Sequence, residues 1–226
     1  MNKISSCEVC GSTELEHVLD LGLHPMCDDL IPIGESTTPE TYPISIIYCR
    51  NCNTAHQEYQ IPKKVLFPKT YHYRSNLTAD VISGMNDLVE SIEDKIGGIA
   101  DMKVLDIGCN DGSLLDIFSK RKARTIGIEP TGAYKDACGR EHKIINRFFD
   151  SRAVEEVKEE WEFADIIVMT NVFAHIEDLN SMLENMQKIM SDETLLVIEN
   201  HYLGSILGHN QFDTFYHEHP RTYSVN

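Results

Sequence analysis

Three groups of residues in this chain of 226 have the types and spacing to do chemistry. The first is a pair of CxxC knuckles, Cys7-Glu8-Val9-Cys10 and Cys49-Arg50-Asn51-Cys52, with residues 11–48 between them. Two knuckles supply four sulfurs, which fill the tetrahedral shell of zinc and leave no position open to water, so such a site is structural. A redox-active CxxC is the rival, and the double occurrence favours the metal. Cys27, between the knuckles, reads as a small buried residue, with a spare ligand as the alternative.

The second group is Val104-Leu105-Asp106-Ile107-Gly108-Cys109-Asn110-Asp111-Gly112-Ser113, a buried strand, a glycine turn and a helix start in succession. Glycines at such a turn let a ligand approach the backbone, and Asp111 or Ser113 can cap the helix that follows. Glu129 ends the next strand, where a carboxylate can accept both hydroxyls of an adenosine ribose. A dinucleotide fingerprint needs a second glycine where Asn110 stands, and Asp106 and Asp111 would repel a pyrophosphate. The same two carboxylates tolerate the sulfonium and ammonium of S-adenosylmethionine, so the methyl donor is preferred over NAD. A glycine turn alone is often structural; Glu129, with Thr170-Asn171 closing the fourth strand, argues for binding.

The third group lies near the end of the sequence. Four of the ten histidines, His201, His209, His217 and His219, follow Asn200, and Tyr216-His217-Glu218-His219 brings imidazole, phenol and carboxylate together. Imidazole titrates near neutrality, a carboxylate can orient it, and a phenol can donate to a developing oxyanion. Metal binding by His217 and His219 is one rival, and a solvated histidine-rich tail is another.

These groups need elements to hold them. Residues 1–75 carry five of the seven cysteines and short apolar runs without helical periodicity, which predicts a loop-rich β module. Val81, Ile82, Met85, Leu88, Val89, Ile92 and Ile96 recur at helical spacing up to Gly97-Gly98, so residues 76–98 form a connecting helix. From residue 99 to 226 the texture alternates. Buried strands are expected at 104–107, 125–128, 144–145, 166–169 and 195–198, with amphipathic stretches between them, giving an α/β fold with a helix-covered parallel sheet.

Composition narrows the function classes. Twenty Lys and Arg against 36 Asp and Glu leave a net charge of −16, which disfavours a broad nucleic-acid or anionic-membrane face. No apolar run reaches the roughly 18 residues of a membrane span, and no signal-type core follows Met1. A cytoplasmic protein with reduced thiols is expected.

The ordered set of motifs resembles the sugar C-methyltransferases that act on nucleotide-linked keto-deoxysugars, in which a zinc-binding module precedes the methyltransferase domain. The matching stretches are Cys7-x-x-Cys10, Leu19-Asp20-Leu21-Gly22 with Pro25, Tyr42-Pro43 before Cys49-x-x-Cys52, Tyr71-His72-Tyr73-Arg74-Ser75, Asp106 to Gly112, Glu129-Pro130, Asn171 to His175, Glu199, and Tyr216 to His219. The resemblance implies a Rossmann-type, class I methyltransferase sheet and C-methylation through an enolate. It implies His219 as base, Tyr216 as oxyanion or proton partner, Glu218 as orienting carboxylate, and His175 and Tyr71 as pocket residues. Asp106, Gly108, Asn110, Asp111, Gly112, Glu129 and Asn171 would hold the donor, and Cys7, Cys10, Cys49 and Cys52 the zinc.

Two departures stand out. Pro220 follows the histidine motif directly, and five strands are found where the family has seven. A C-terminally truncated sheet would expose backbone and an apolar face at its fifth strand. A second copy of the chain or a separately encoded C-terminal half is the expected cover. An O- or N-methyltransferase of another small molecule, and a non-catalytic cofactor-binding subunit, are the alternatives.

Overall fold

The computed structural model describes residues 1–225; Asn226, the last residue of the expected methyltransferase domain, lies outside them. In chain order the strands are β1 (Asn2–Lys3), β2 (Leu15–His24), β3 (Tyr42–Cys49), β4 (Thr54–Gln57), β5 (Tyr59–Gln60), β6 (Lys103–Ile107), β7 (Arg124–Ile128), β8 (Lys143–Ile145), β9 (Ile166–Thr170), β10 (Leu195–Glu199) and β11 (Arg221–Thr222). The helices are α1 (Lys63–Leu66), α2 (Ala79–Ile96), α3 (Ser113–Lys120), α4 (Tyr134–Ala137), α5 (Ser151–Lys158), α6 (Leu179–Gln187) and α7 (Leu203–His209).

The chain divides into two compact units. One comprises Met1–Leu66, Phe173–Leu179 and the residues from Asn200 on; the other comprises Phe67–Val172 and Asn180–Glu199. Chain order therefore does not follow the expected division at 75 and 98, because the histidine-bearing end clusters with the cysteine module.

In the cysteine-bearing unit, β2, β3, β4 and β11 form an antiparallel sheet in the order β11-β4-β3-β2. Ile44, Ser45, Ile46 and Ile47 are buried consecutively, so both faces of β3 are covered there, whereas β2 buries only one face in part through Leu15, Leu19 and Leu21. Register shifts at His17/Leu19 and Asp20/Gly22 bend β2. Asp20 Oδ1 accepts the Gly22 N–H at 2.8 Å. Such bulges blunt an edge strand against further pairing. Ile44, Ile46, Ala55 and Leu203 make the core, with Leu19, Leu21, Tyr48 and Phe215 against it.

The other unit carries a parallel sheet in the order β10-β9-β6-β7-β8, matching the five expected strands. Ile166 to Met169 of β9 are completely buried, which a strand covered on both faces needs. Each such residue contributes about 1.5–3 kcal/mol of hydrophobic burial. The periodic apolar face of α2 meets α3 and the sheet through Val89, Ile92, Leu114, Ile117, Phe118, Val104 and Val168. Gly97 ends α2 at φ 82°, a left-handed cap whose N–H bonds Glu93 O. Asp150 caps α5 by accepting from Arg152 and Ala153. Among the described residues β10 and β8 are the sheet's outer strands, and Ile198 on β10 is exposed. No helix is long and apolar enough to cross a membrane among the described residues.

Candidate functional site

The knuckles sit where the backbone turns. Cys49 ends β3 and Cys52 lies in the turn before β4, which closes through Asn53 at φ 54°. The first knuckle closes through the Gly11 N–H on Cys7 O. All four sulfurs lie within 4.8 Å of one another, with Cys7 to Cys52 at 3.4 Å and Cys10 to Cys49 at 3.6 Å. Zinc–sulfur bonds of about 2.3 Å in a tetrahedron separate sulfurs by roughly 3.8 Å, so the set fits that ion. Outer donors fit thiolates too. Asn51 Nδ2 donates to Cys10 Sγ at 3.3 Å, His56 Nε2 stands 3.3 Å from Cys7 Sγ, and the Cys10 N–H points at Cys7 Sγ at 3.5 Å. Convergence of both knuckles on one centre disfavours a redox CxxC. Cys27 is outside the set and is not the small buried residue expected: it is exposed and its thiol donates to Glu218 Oε1 at 3.0 Å.

In the parallel-sheet unit, β6 delivers Asp106 and the glycine turn. The N–H groups of Gly108 and Cys109 both bond Ile128 O, fixing the turn to β7. Gly108 has φ 81°, and a Cβ there would meet Val172 Cγ2 at 2.4 Å, so only glycine fits. Glu129 is buried and held by two backbone donors, Asn110 N–H on Oε2 at 3.0 Å and Thr131 N–H on Oε1 at 2.7 Å. Each oxygen keeps a lone pair for a hydroxyl. Asp106 is also buried, and its Oδ1 has no hydrogen-bond partner. Burial, then the charge of Glu129, pushes its carboxyl up to about 8. A cation brought beside it would return the proton to water. That orphaned oxygen, with the anchored Glu129, suits the ammonium and ribose of S-adenosylmethionine.

Asn110 and Asp111 serve the protein directly. Asn110 Oδ1 accepts Ser75 N–H at 3.1 Å and its Nδ2 donates to Tyr73 O. Asp111, completely buried, accepts Ser113 N–H and Oγ–H on Oδ1 and Asn76 N–H on Oδ2. The pair thus fastens residues 73–76 onto the glycine loop. Arg74 secures the same segment through Asp136 and the carbonyls of Tyr71 and Tyr73. Spacing along the chain gave no signal for this contact. Gly112 starts α3 at φ 78°, and Tyr71 stacks edge-on against Phe67 at 5.5 Å. Asn171, at φ 53°, donates its N–H to Glu199 O at 3.0 Å, tying the end of β9 to β10.

The histidine cluster belongs to the cysteine-bearing unit. His219 is buried, with ring centroids of Tyr216, His201 and His175 at 4.1, 4.5 and 4.9 Å. Its Nδ1 is 3.0 Å from Thr214 O. A carbonyl only accepts, so Nδ1 carries the proton and Nε2 keeps the lone pair. Burial, then the neighbouring His175, lowers His219 to about 3, so the ring is neutral at physiological pH. His175 Nδ1 donates to Glu218 O at 2.6 Å. His217 takes another job: its Nε2 donates to Tyr42 O at 3.1 Å, and its ring packs on Tyr42. His201, given no role from the sequence, is part of the cluster. Pro220 begins the return to the sheet, its carbonyl accepting Gln57 N–H at 2.9 Å.

With this geometry in view, comparison with known proteins is direct. A family model described as "Methyltransferase domain" matches residues 62–226, and one described as "Putative zinc binding domain" matches residues 7–67. C-methyltransferase NovU of Streptomyces niveus is 28% identical over 224 residues, 98% of this chain and 53% of NovU. Ubiquinone biosynthesis O-methyltransferase of Acinetobacter baumannii (strain AYE) is 30% identical over 104 residues, 44% of either chain. The chain spans about half the length of these curated relatives. Among solved structures, the YcgJ protein of Bacillus subtilis superposes with a TM-score of 0.48 at 16% identity over 63% of each chain. Because the methyltransferase match takes in the glycine loop, Glu129 and the histidine cluster alike, over well more than half of the sequence, the chain belongs to the methyltransferase domain family.

Proposed function

We propose that this chain is the donor-binding and proton-abstracting part of an S-adenosylmethionine-dependent C-methyltransferase that acts on a nucleotide-linked keto sugar. The observation that carries the reading is the buried, neutral His219 with its Nε2 lone pair uncommitted to the Thr214 carbonyl. Carbon methylation beside a ketone needs a base that is unprotonated at neutral pH. The similarity to NovU, a C-methyltransferase, supports the same choice.

S-adenosylmethionine supplies an electrophilic methyl group on a sulfonium. In the proposed reaction, His219 Nε2 takes the proton from the carbon next to the ketone, and the electron pair moves onto the carbonyl oxygen. Tyr216 donates to that oxygen, and the enolate carbon takes the methyl as the thioether departs. His175 and Tyr71 contact the acceptor, and Glu218 holds the segment. Asp106 and Glu129 meet the charged and hydroxylated parts of the donor, Gly108 and Gly112 shape its loop, Asn171 closes the strand end, and Asn110 and Asp111 keep the loop fastened. The reading sets the protein in the cytoplasm. The outer edge at β10 is to be covered by a second copy or by a further segment equivalent to the remainder of the longer relatives.

The test is methyl transfer from isotopically labelled S-adenosylmethionine to a nucleotide-linked keto sugar, with NMR locating the label. A new carbon-bound methyl supports the reading, and a methyl on oxygen or nitrogen replaces it with the O- or N-methyltransferase alternative. Tight S-adenosylhomocysteine binding with no turnover on any keto sugar, even with the remaining segment of a longer relative supplied, would make the chain a binding subunit. The half-length match to its relatives is what keeps that second reading in play.

A further inference from the structure

The thiolate centre and the histidine-bearing end share one strand pair. β11 contributes only Arg221 and Thr222, which stand opposite His56 and Ala55 of β4. His56 and Arg221 are each 1% exposed. His56 Nε2 faces Cys7 Sγ at 3.3 Å, and its Nδ1 faces Glu8 Oε2 at 3.8 Å. Glu8 Oε2 in turn accepts Arg221 Nη1 at 2.5 Å and Gln60 Nε2 at 2.7 Å, and Arg221 Nε donates to Tyr223 Oη at 3.0 Å. One residue on, Gln57 gives its N–H to Pro220 O and its side-chain Nε2 to Tyr216 O at 3.1 Å. Polar contacts therefore join Cys7 to His56 and Glu8 through Arg221 to Tyr223, His56 and Arg221 are paired across β4 and β11, and β4 holds both ends of the Tyr216–Pro220 stretch.

A two-residue strand has too little pairing to hold itself in register. Its partner β4 starts directly after the knuckle that carries Cys49 and Cys52, so metal loading fixes the turn from which β4 departs. Outer-sphere donors such as His56 orient thiolate ligands and raise metal affinity. The burial of an Arg–Glu pair has no part in the methyl transfer proposed above, yet it sits between the metal ligands and the catalytic segment. We propose that metal loading at the four thiols orders the Tyr216–His219 segment through His56, Glu8 and Arg221, which makes these three positioning residues.

Coupling of this kind is reciprocal: whatever loosens the terminal strand must weaken the metal by the same factor. The test uses the full chain, zinc-loaded or stripped by a chelator, and follows backbone amide exchange. Stripping should deprotect Gln57 and residues 214–223 while leaving the amides of α2 and β6 unchanged. Competition with a chromophoric chelator then measures zinc affinity in variants. His56→Phe should weaken it by about 10–100-fold and Arg221→Met, which touches no cysteine, by about tenfold. Tyr223→Phe, a milder change that keeps the Arg–Glu pair, should weaken it by a smaller factor in the same direction. Lys3→Ala, which breaks an exposed ion pair with Glu58 in the same unit, should leave it unchanged. Equal protection of residues 214–223 with and without metal overturns the proposal. Parental zinc affinity in both Arg221→Met and Tyr223→Phe overturns it as well, because stripping would then merely unfold the module.

Discussion

The glycine loop and the histidine cluster both bury titratable groups, and burial shifts an acid in one and a base in the other in opposite directions. At the loop, Glu129 and Asp111 are wrapped in N–H and O–H donors. Asp106 beside them is the exception, with one oxygen unpartnered. In the cluster, burial and then the neighbouring His175 disfavour a positive ring at His219 and outweigh the Thr214 carbonyl on Nδ1, which favours it. One region anchors two buried carboxylates through donors and leaves one Asp106 oxygen without a partner, and the other holds a buried imidazole whose proton sits on Nδ1. In the proposed reaction the first region would hold the cationic donor and the second would create the nucleophile.

The comparison is tested most sharply at His219. His219→Asn should lower methyl transfer by about 10²–10⁴-fold, the range for a general base, and leave S-adenosylhomocysteine affinity at the parental value. Calorimetric titration alongside single-turnover rates reads both, and equal loss of rate and affinity would mean that the cluster shapes the donor site instead. Glu129→Ala should do the converse. Its removal deletes a charge-assisted acceptor worth about 1.5–3 kcal/mol, so S-adenosylhomocysteine binding should weaken by roughly 10–100-fold.

Stability against pH should respond with opposite signs in the two regions. Asp106 titrates near 4 unfolded and about 8 folded, so the folded state binds the extra proton between those values. Its contribution therefore becomes less favourable as pH rises from about 4 to 8. His219 goes the other way. With a folded value of about 3 against 6.5 unfolded, the unfolded chain binds the extra proton, and stability falls as pH drops from 6.5 toward 3. Melting temperatures across pH 4 to 9 should show the alkaline decline reduced in Asp106→Asn and the acid decline reduced in His219→Asn. Parallel curves for parent and both variants would sink the electrostatic contrast.

How much of this could be read from the sequence depends on whether the signal is local. The five parallel strands announce themselves as short apolar runs because both faces are covered, and α2 by the spacing from Val81 to Ile96. The thiolate set is equally plain, since CxxC spacing is the ligand geometry. β11 was illegible. A buried arginine in a two-residue strand looks like any solvated charge until its partner, Glu8 at the other end of the chain, is in view. Asn110 and Asp111 looked like ligand contacts, and only the return of residues 73–76 to the loop explains where their side chains are bonded. Which nitrogen of His219 keeps its lone pair is likewise set by a carbonyl, Thr214 O, and carbonyls carry no sequence signature.

The smallest effect separates fastening from ligand binding within the loop itself. Ser113 gives both its N–H and its hydroxyl to Asp111 Oδ1, at 3.1 and 2.6 Å, while Asn76 N–H holds Oδ2. Ser113→Ala therefore removes one of three donors and leaves neither oxygen of the buried carboxylate without a partner. The expected cost is about 1 kcal/mol, a drop of roughly 2–4 °C in melting temperature for a chain of this size. S-adenosylhomocysteine affinity should stay within about twofold of the parent, because the hydroxyl serves Asp111 and Asp111 serves the 73–76 segment. A loss of affinity as large as that of Glu129→Ala would instead put the Ser113 hydroxyl, or the carboxylate it holds, on the ligand. The glycine loop would then recognise its donor through two carboxylates, and the fastening would be a consequence of binding chemistry rather than its support.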